Sequence, residues 1–274
     1  VDIAGSACYW FEPDHPGMGH ETLLDIFDTF LNRYQWDKFI RPGSTVVDIG
    51  GHSGDTAVPM QFLARGTVLC VEPNPVISPY MDLTCMMNGH LGKFVLAHEA
   101  VTTEDTDSVT ILDHCNALCN GGMIDPSWTP ELKQRMTQMA GDSVTVPGLT
   151  LEHLCKKYLT DEEIANISFI KTDTEGHDVS ILESSKEFID RIKPVIFTEW
   201  FFAFTDVESR HMFDVIASMN YLAFDPETLE PATIDSKAHL RTSETSDSTK
   251  YTGAQIIINS DRVLLNSKVN ENNF

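Results

Sequence analysis

Basic residues are what this chain of 274 residues has least of: 19 Lys and Arg stand against 41 Asp and Glu, a formal net charge of −22. A surface that grips nucleic acid by its phosphates needs a basic face, and the largest basic cluster here is Lys156-Lys157. Nucleic acid is therefore disfavoured as a partner. Long apolar runs are lacking too. No stretch reaches the roughly 20 apolar residues of a membrane span, and the nearest, Pro194 to Phe204, is interrupted by Thr198 and Glu199. The opening residues, Val1-Asp2-Ile3-Ala4, have neither the charged start nor the apolar stretch of a signal peptide. Cysteine is sparse. Cys8, Cys70, Cys85, Cys115, Cys119 and Cys155 are scattered through a chain too long to need staples, which favours reduced thiols and a cytoplasmic location. Only His114, Cys115 and Cys119 cluster, and without a second pair at zinc spacing they read as loop or buried thiols.

What the chain does have is a globular composition, 42% hydrophobic and 9% aromatic, which excludes wholesale disorder. Leu23, Leu24, Phe27, Phe30, Leu31 and Tyr34 recur at helical spacing, so an amphipathic helix is expected over 20–40, ended by Arg41-Pro42-Gly43. The run 44–49 reads as a buried strand closed by Gly50-Gly51. A helical pattern over 53–64 follows, with Pro59 in its first turn or kinking it, and then a strand from Thr67 to Val71. Further strands are expected at 94–96, 108–112, 144–146, 167–172, 194–198, 221–224 and 254–258, alternating over most of the length with helices. Residues 113–142 are irregular, with one short helix at 130–139, and read as an insertion that covers something. The expected fold is a single α/β domain: a Rossmann-like, doubly wound, mostly parallel sheet with an antiparallel edge strand and an N-terminal helical extension. Its expected bounds are 1–42 for the extension, 43–260 for the domain and 261–274 for a polar tail, with a polar loop at 235–252.

Two segments point to a nucleoside cofactor. Asp48-Ile49-Gly50-Gly51-His52-Ser53-Gly54-Asp55 lies where the first strand turns into the first helix, and glycines there let backbone approach a ligand closely. Glu72 ends the second strand, where a carboxylate can accept both hydroxyls of a ribose. The glycines at 50, 51 and 54 miss the G-x-G-x-x-G dinucleotide template, and Asp48 suits a ligand with a cationic amino group better than a pyrophosphate.

The wider pattern, V-V-D-I-G-G-H-S-G-D at 46–55, V-E-P-N-P at 71–75, Thr150-Leu151-Glu152, I-K-T-D-T-E-G-H-D at 170–178 followed by Ile181-Leu182, and Glu199, resembles the FkbM family of S-adenosylmethionine-dependent methyltransferases. The matches keep the family's order over about 46–225, with Gly51 where the family often has Ala, and with the long 113–142 and 235–252 segments as departures. The resemblance implies S-adenosyl-L-methionine as cofactor, in a pocket lined by Asp48, Gly50, Gly54 and Glu72, with Asn74 near the ribose and Ala100-Val101 bordering the adenine. Gly51, His52, Ser53 and Pro73 belong to the same cofactor-binding set, although His52 also reads as structural.

Asp173 and Glu175 lie just beyond the strand that in this fold faces the transferred methyl, and Glu199 ends the next strand. Three convergent carboxylates repel one another, so a raised pKa, a bound cation or hydrogen-bond donors must compensate. A carboxylate or His177 could take the proton of a hydroxyl acceptor, or Mg²⁺ or Ca²⁺ on Asp173 and Glu199 could lower its pKa. Glu175 has a competing role as a helix cap, and Lys171, in an apolar strand, could pair with a neighbouring acid. Trp200, Phe201, Phe202 and Phe204 could wall a substrate, with core packing as the plainer reading. The expected activity is O-methylation of a small-molecule or glycan hydroxyl. The alternatives are a nicotinamide-dependent oxidoreductase and a non-catalytic ligand-binding module of the same fold.

Overall fold

In a computed structural model, residues 1–12, 22–113, 121–122, 128–139, 143–201, 204–233 and 254–259 are described. The chain opens with a hairpin of β1 (Asp2–Ile3) and β2 (Ser6–Ala7), followed by α1 (Leu23–Phe27). A βαβαβ run comes next: β3 (Thr45–Ile49), α2 (Ala57–Ala64), β4 (Thr67–Val71), α3 (Ser78–Met87) and β5 (Lys93–Ala97). Then follow β6 (Ala100–Val101), β7 (Thr106–Asp113), β8 (Gly121–Gly122), α4 (Pro130–Met139) and β9 (Ser143–Leu149). The remainder is α5 (Leu151–Tyr158), α6 (Asp161–Ala165), β10 (Ile167–Thr172), α7 (Asp178–Ser184), α8 (Lys186–Ile192), β11 (Val195–Glu199), α9 (Asp206–Ser218), β12 (Tyr221–Phe224) and β13 (Ala254–Asn259).

The central sheet has the order β12-β13-β11-β10-β3-β4-β5, and β11, β10, β3, β4 and β5 are parallel. β3, β4, β10 and β11 are buried on both faces, as the centre of a doubly wound sheet requires. Val46, Val68, Cys70 and Phe197 point to one apolar cluster, while Val47, Ile49, Leu69 and Val71 point to the other. From β3 the chain winds outward through β4 and β5, then returns to the other side of β3 with β10. The order therefore reverses between β3 and β10, and ligands of such sheets collect in the crevice at that switch.

Two expectations are corrected in detail. The expected helix over 20–40 breaks: α1 runs into a π-helical segment, Asp28–Arg33, Gln35 turns left-handed at φ 54°, and Trp36–Lys38 form a 3₁₀ turn. The break brings Trp36 back over Phe30, with ring centroids 4.0 Å apart, and against Phe169 and Phe197, where it is fully buried. An unbroken helix would carry Trp36 round to a different face from Phe30. Second, residues 106–113 and 143–149 leave the main sheet and build a smaller one, in the order β6-β9-β7-β8. Their alternation explains this, because Val109, Ile111, Val144 and Val146 share one apolar cluster while the intervening residues are polar; a central parallel strand needs both faces apolar. The antiparallel pair expected at one edge of the sheet is present. β13 runs antiparallel to both β11 and β12, and β12 lies outside it.

The helix expected from residue 53 starts at Ala57, leaving the glycine segment as a non-helical turn, and Pro59 sits in the helix's first turn. Cys8, Cys70, Cys85 and Cys155 are buried free thiols. His114, Cys115, Cys119, Phe202, the 235–252 loop and the tail after Asn259 lie outside the described residues. No helix among the described residues is long and apolar enough to cross a membrane.

Candidate functional site

The turn after β3 is fixed by backbone on both sides. Gly50 and Gly51 donate to the Val71 carbonyl at 3.0 and 2.9 Å, and Asp173 N–H donates to the Ile49 carbonyl at 3.0 Å. Gly50 has φ 75°, and a Cβ there would stand 1.8 Å from the Asp173 carbonyl oxygen, so only glycine allows the turn after β3 and the acidic loop to meet. Glu72 bridges the turn to its own loop. One oxygen accepts His52 N–H at 3.0 Å and the other accepts Asn74 N–H at 2.8 Å. Burial pushes the Glu72 carboxyl up to about 7, against these two bonds, which favour the charged form. Asn74 in turn accepts Val76 N–H, and Pro73 lies between them in the same loop. These contacts draw Gly50, Gly51, His52, Ser53, Gly54, Glu72, Pro73 and Asn74 into one rim at the switch point.

Asp48 faces inward. It is fully buried, accepts from Thr56 Oγ1 at 2.7 Å, and lies 3.2 Å from Lys171 Nζ. Lys171, itself 3% exposed, also donates to the Gly50 carbonyl at 2.7 Å and lies 3.5 Å from Asp173. Burial alone would lower its proton affinity, but the Asp48, Asp173 and Asp55 carboxylates outweigh it and hold the ammonium above its ordinary range. Much of Asp48's charge is thus met from within the protein. Ala100 and Val101 are buried in β6, paired with Gly148 and Leu149 of the small sheet.

The loop after β10 gathers the acids. One oxygen each from Asp173, Glu175 and Glu199 comes within 4.8 Å of the other two, a spacing that a cation can bridge and that carboxylates also adopt without one. Glu199 accepts Glu175 N–H at 3.0 Å. Burial, with the like charges of Glu175, Asp173 and Asp178, pushes Glu199 well above the usual carboxylate range. Asp178 reaches back to the N–H groups of Thr174 and Gly176, 3.4 and 3.3 Å away, and holds Glu175 at its left-handed φ of 55°. Burial and the nearby Asp173 push Asp178 up to about 6. Glu175 is not the helix cap: His177, buried at 4% exposure, occupies the N-cap of α7. The Asp173 side chain is 46% exposed, the most open of the three acids.

Part of the expected insertion covers this loop. Trp128 donates from Nε1 to the Gly176 carbonyl at 3.1 Å and stacks on Phe201. Trp200, Phe201 and Phe204 are core residues, each at most 5% exposed, so the described members of the aromatic set pack rather than wall a cavity. Sequence reasoning missed Thr56, Trp128 and Asp178. Asp178 sits in the quoted 170–178 motif, whereas nothing local distinguishes Thr56 or Trp128.

Residues 48–223 match the family model described as methyltransferase FkbM domain. No curated protein sequence matches the chain. Among solved structures, the chain is similar to methyltransferase FkbM from Methylobacillus flagellatus KT, at 12% identity and a TM-score of 0.44, over 76% of this chain and 57% of that one. It thus spans little more than half the length of that protein. Geranyl diphosphate methyltransferase in complex with GPP and sinefungin is 11% identical with a TM-score of 0.36, covering 82% of this chain and 74% of that one. The same enzyme in complex with SAM gives 11% and 0.36, over 89% and 90%.

Proposed function

The chain belongs to the FkbM methyltransferase family, and from that membership we propose that it is an S-adenosylmethionine-dependent methyltransferase that O-methylates a small-molecule or glycan hydroxyl. The observation that carries the reading is the junction at the sheet's switch point, where the Gly50 turn lies against the Asp173 backbone and Glu72 ties the turn to the second loop. S-adenosylmethionine supplies a methyl group on a positively charged sulfur. The residues of the rim suit it: glycine backbone in place of side chains, a buried carboxylate at Glu72 for ribose hydroxyls, and no G-x-G-x-x-G cradle for a pyrophosphate. That combination favours a methyl donor over a nicotinamide cofactor.

Asp173 takes the proton of the acceptor hydroxyl, being the acid of the three most open to an acceptor. Glu199 acts through position. It is 9% exposed, its charge is disfavoured, and it holds the Glu175 backbone. His177 is buried at the head of α7 and serves packing. Lys171 beside Asp173 offsets part of the acids' repulsion, and turnover with and without EDTA decides whether Mg²⁺ or Ca²⁺ between Asp173 and Glu199 supplies the rest.

The test is methyl transfer from labelled S-adenosylmethionine to a panel of hydroxylated acceptors. Asp173→Asn is expected to lower kcat by about 10²–10⁴-fold, the usual worth of a general base, and Glu199→Gln by less, since Glu199 holds the Glu175 backbone and does not itself take the proton. If both variants kept wild-type turnover on every accepted substrate, the catalytic assignment would be wrong. Binding of S-adenosylhomocysteine with no transfer to any acceptor would favour the non-catalytic reading.

A further inference from the structure

We propose that the N-terminal arm is part of the cofactor site and that Trp10 is a positioning residue for its glycine turn; this rests on the methyltransferase reading above. The arm lies outside the family-matched residues, yet it is bonded into the site's walls. Trp10 Nε1 donates to Ser53 Oγ at 2.8 Å, and Ser53, inside the turn, is fully buried. Tyr9 and Phe11 flank it with backbone bonds to α3 and the residue after it. Tyr9 N–H donates to Asn88 Oδ1 at 3.0 Å, Asn88 Nδ2 returns a bond to the Tyr9 carbonyl at 2.6 Å, and Phe11 N–H donates to Thr84 Oγ1 at 3.1 Å. Asn88 and Thr84 are fully buried. Buried polar side chains that lose such partners carry the whole desolvation cost, so the arm is held by groups that need it.

Two routes lead from the arm to the rim. Ser53 Oγ lies 3.3 Å from His52 Nδ1, and the His52 backbone donates to Glu72. His52 is not glycine, yet it has φ 45°, a conformation that persists only where its surroundings fix it. The second route is steric. A Cβ on Gly54 would stand 3.1 Å from the Thr84 methyl, so the turn rests directly on the residue that anchors Phe11. Trp10 thus fixes Ser53, Ser53 neighbours the strained His52, and His52 presents its N–H to the carboxylate proposed to take the ribose. Nothing places Trp10 on the transferred methyl. Its effect belongs to cofactor affinity.

The experiment titrates S-adenosylhomocysteine by calorimetry into the full chain and into Trp10→Phe, Ser53→Ala and the double variant. Phenylalanine keeps the ring and deletes the N–H. Each single change is expected to raise Kd by about 3–10-fold, the range of one buried hydrogen bond. The double variant is expected to fall no further than the worse single one, because both remove the same bond. Trp10→Phe is expected to raise KM for S-adenosylmethionine by the same factor with kcat little changed, a split that general destabilisation would not give. Hydrogen exchange at residues 50–54 of the ligand-free protein is expected to quicken in Trp10→Phe. Unchanged Kd and exchange in both single variants, or effects that add in the double, would overturn the proposal while leaving the cofactor reading intact. Failure of the wild-type chain to bind S-adenosylhomocysteine would remove the cofactor reading itself, and the proposal with it. Should Trp10→Phe not fold, Ser53→Ala alone decides by the same two readouts.

Discussion

At the residue scale the site depends on one buried cation. Lys171 touches Asp48, the Gly50 carbonyl and Asp173, so a single side chain joins the glycine turn to the acidic loop. Removing one partner of a buried pair leaves the other charge uncompensated, at about 3–5 kcal/mol. Lys171→Met is therefore expected to lower unfolding free energy by about that amount, measured by urea denaturation, and Lys171→Met combined with Asp48→Asn to recover part of it. A loss below about 1 kcal/mol in the single variant would mean that Asp48 had found another partner. A lysine within Ile167–Thr172, an otherwise apolar and neutral strand, was readable as half of an ion pair. The partner was not, because Asp48 lies 123 positions earlier in the chain and only the register Lys171↔Asp48 of the paired strands brings them together.

At the element scale, one carboxylate joins α9 to the segment that covers the acidic loop. Glu208 closes the capping box of α9 with Thr205 and also accepts Thr129 N–H at 3.1 Å, just ahead of α4. These bonds outweigh its burial and hold its carboxyl down at about 2. Glu208→Ala is expected to cost about 1–2 kcal/mol from the lost cap and to quicken hydrogen exchange across residues 128–139. Slowed or unchanged exchange there would mean that Trp128 alone anchors the segment. The elements whose order builds the crevice were legible, since β3, β4, β10 and β11 are short apolar runs ended by Gly, Pro or acid. The residues of α1 and the following turn have helical spacing, but burying Trp36 against Phe30 outweighs helix continuity. β7 and β9 alternate apolar and polar, which marks a half-exposed sheet. The cover formed by Trp128 depends on a contact 48 positions away, at Gly176, for which no local pattern exists.

At the scale of the whole molecule, the charge of −22 is unevenly distributed. Several acids are buried at one mouth, and their pKa values move in the direction opposite to those of the paired surface acids. Glu72, raised to about 7, favours the folded state fully below its unfolded value near 4.5 and loses that contribution as pH rises through 7. Glu163, lowered to about 2 first by Lys93, contributes above 4.5 and loses that contribution as pH falls toward 2. Ligand-free stability is therefore expected to peak between these windows and to decline from about pH 5 to 7.5, as thermal denaturation across pH would read. Glu72→Gln should flatten the upper decline; an unchanged slope would place the titrating groups elsewhere, at Glu199 or Asp55.

The central claim is that the crevice between β3 and β10 holds S-adenosylmethionine. Calorimetric titration of the full chain with S-adenosylhomocysteine and, separately, with NAD⁺ tests it most directly. The account predicts one-to-one binding of S-adenosylhomocysteine that Gly50→Ala abolishes, and no heat from NAD⁺. Binding of NAD⁺ with none of S-adenosylhomocysteine would contradict it.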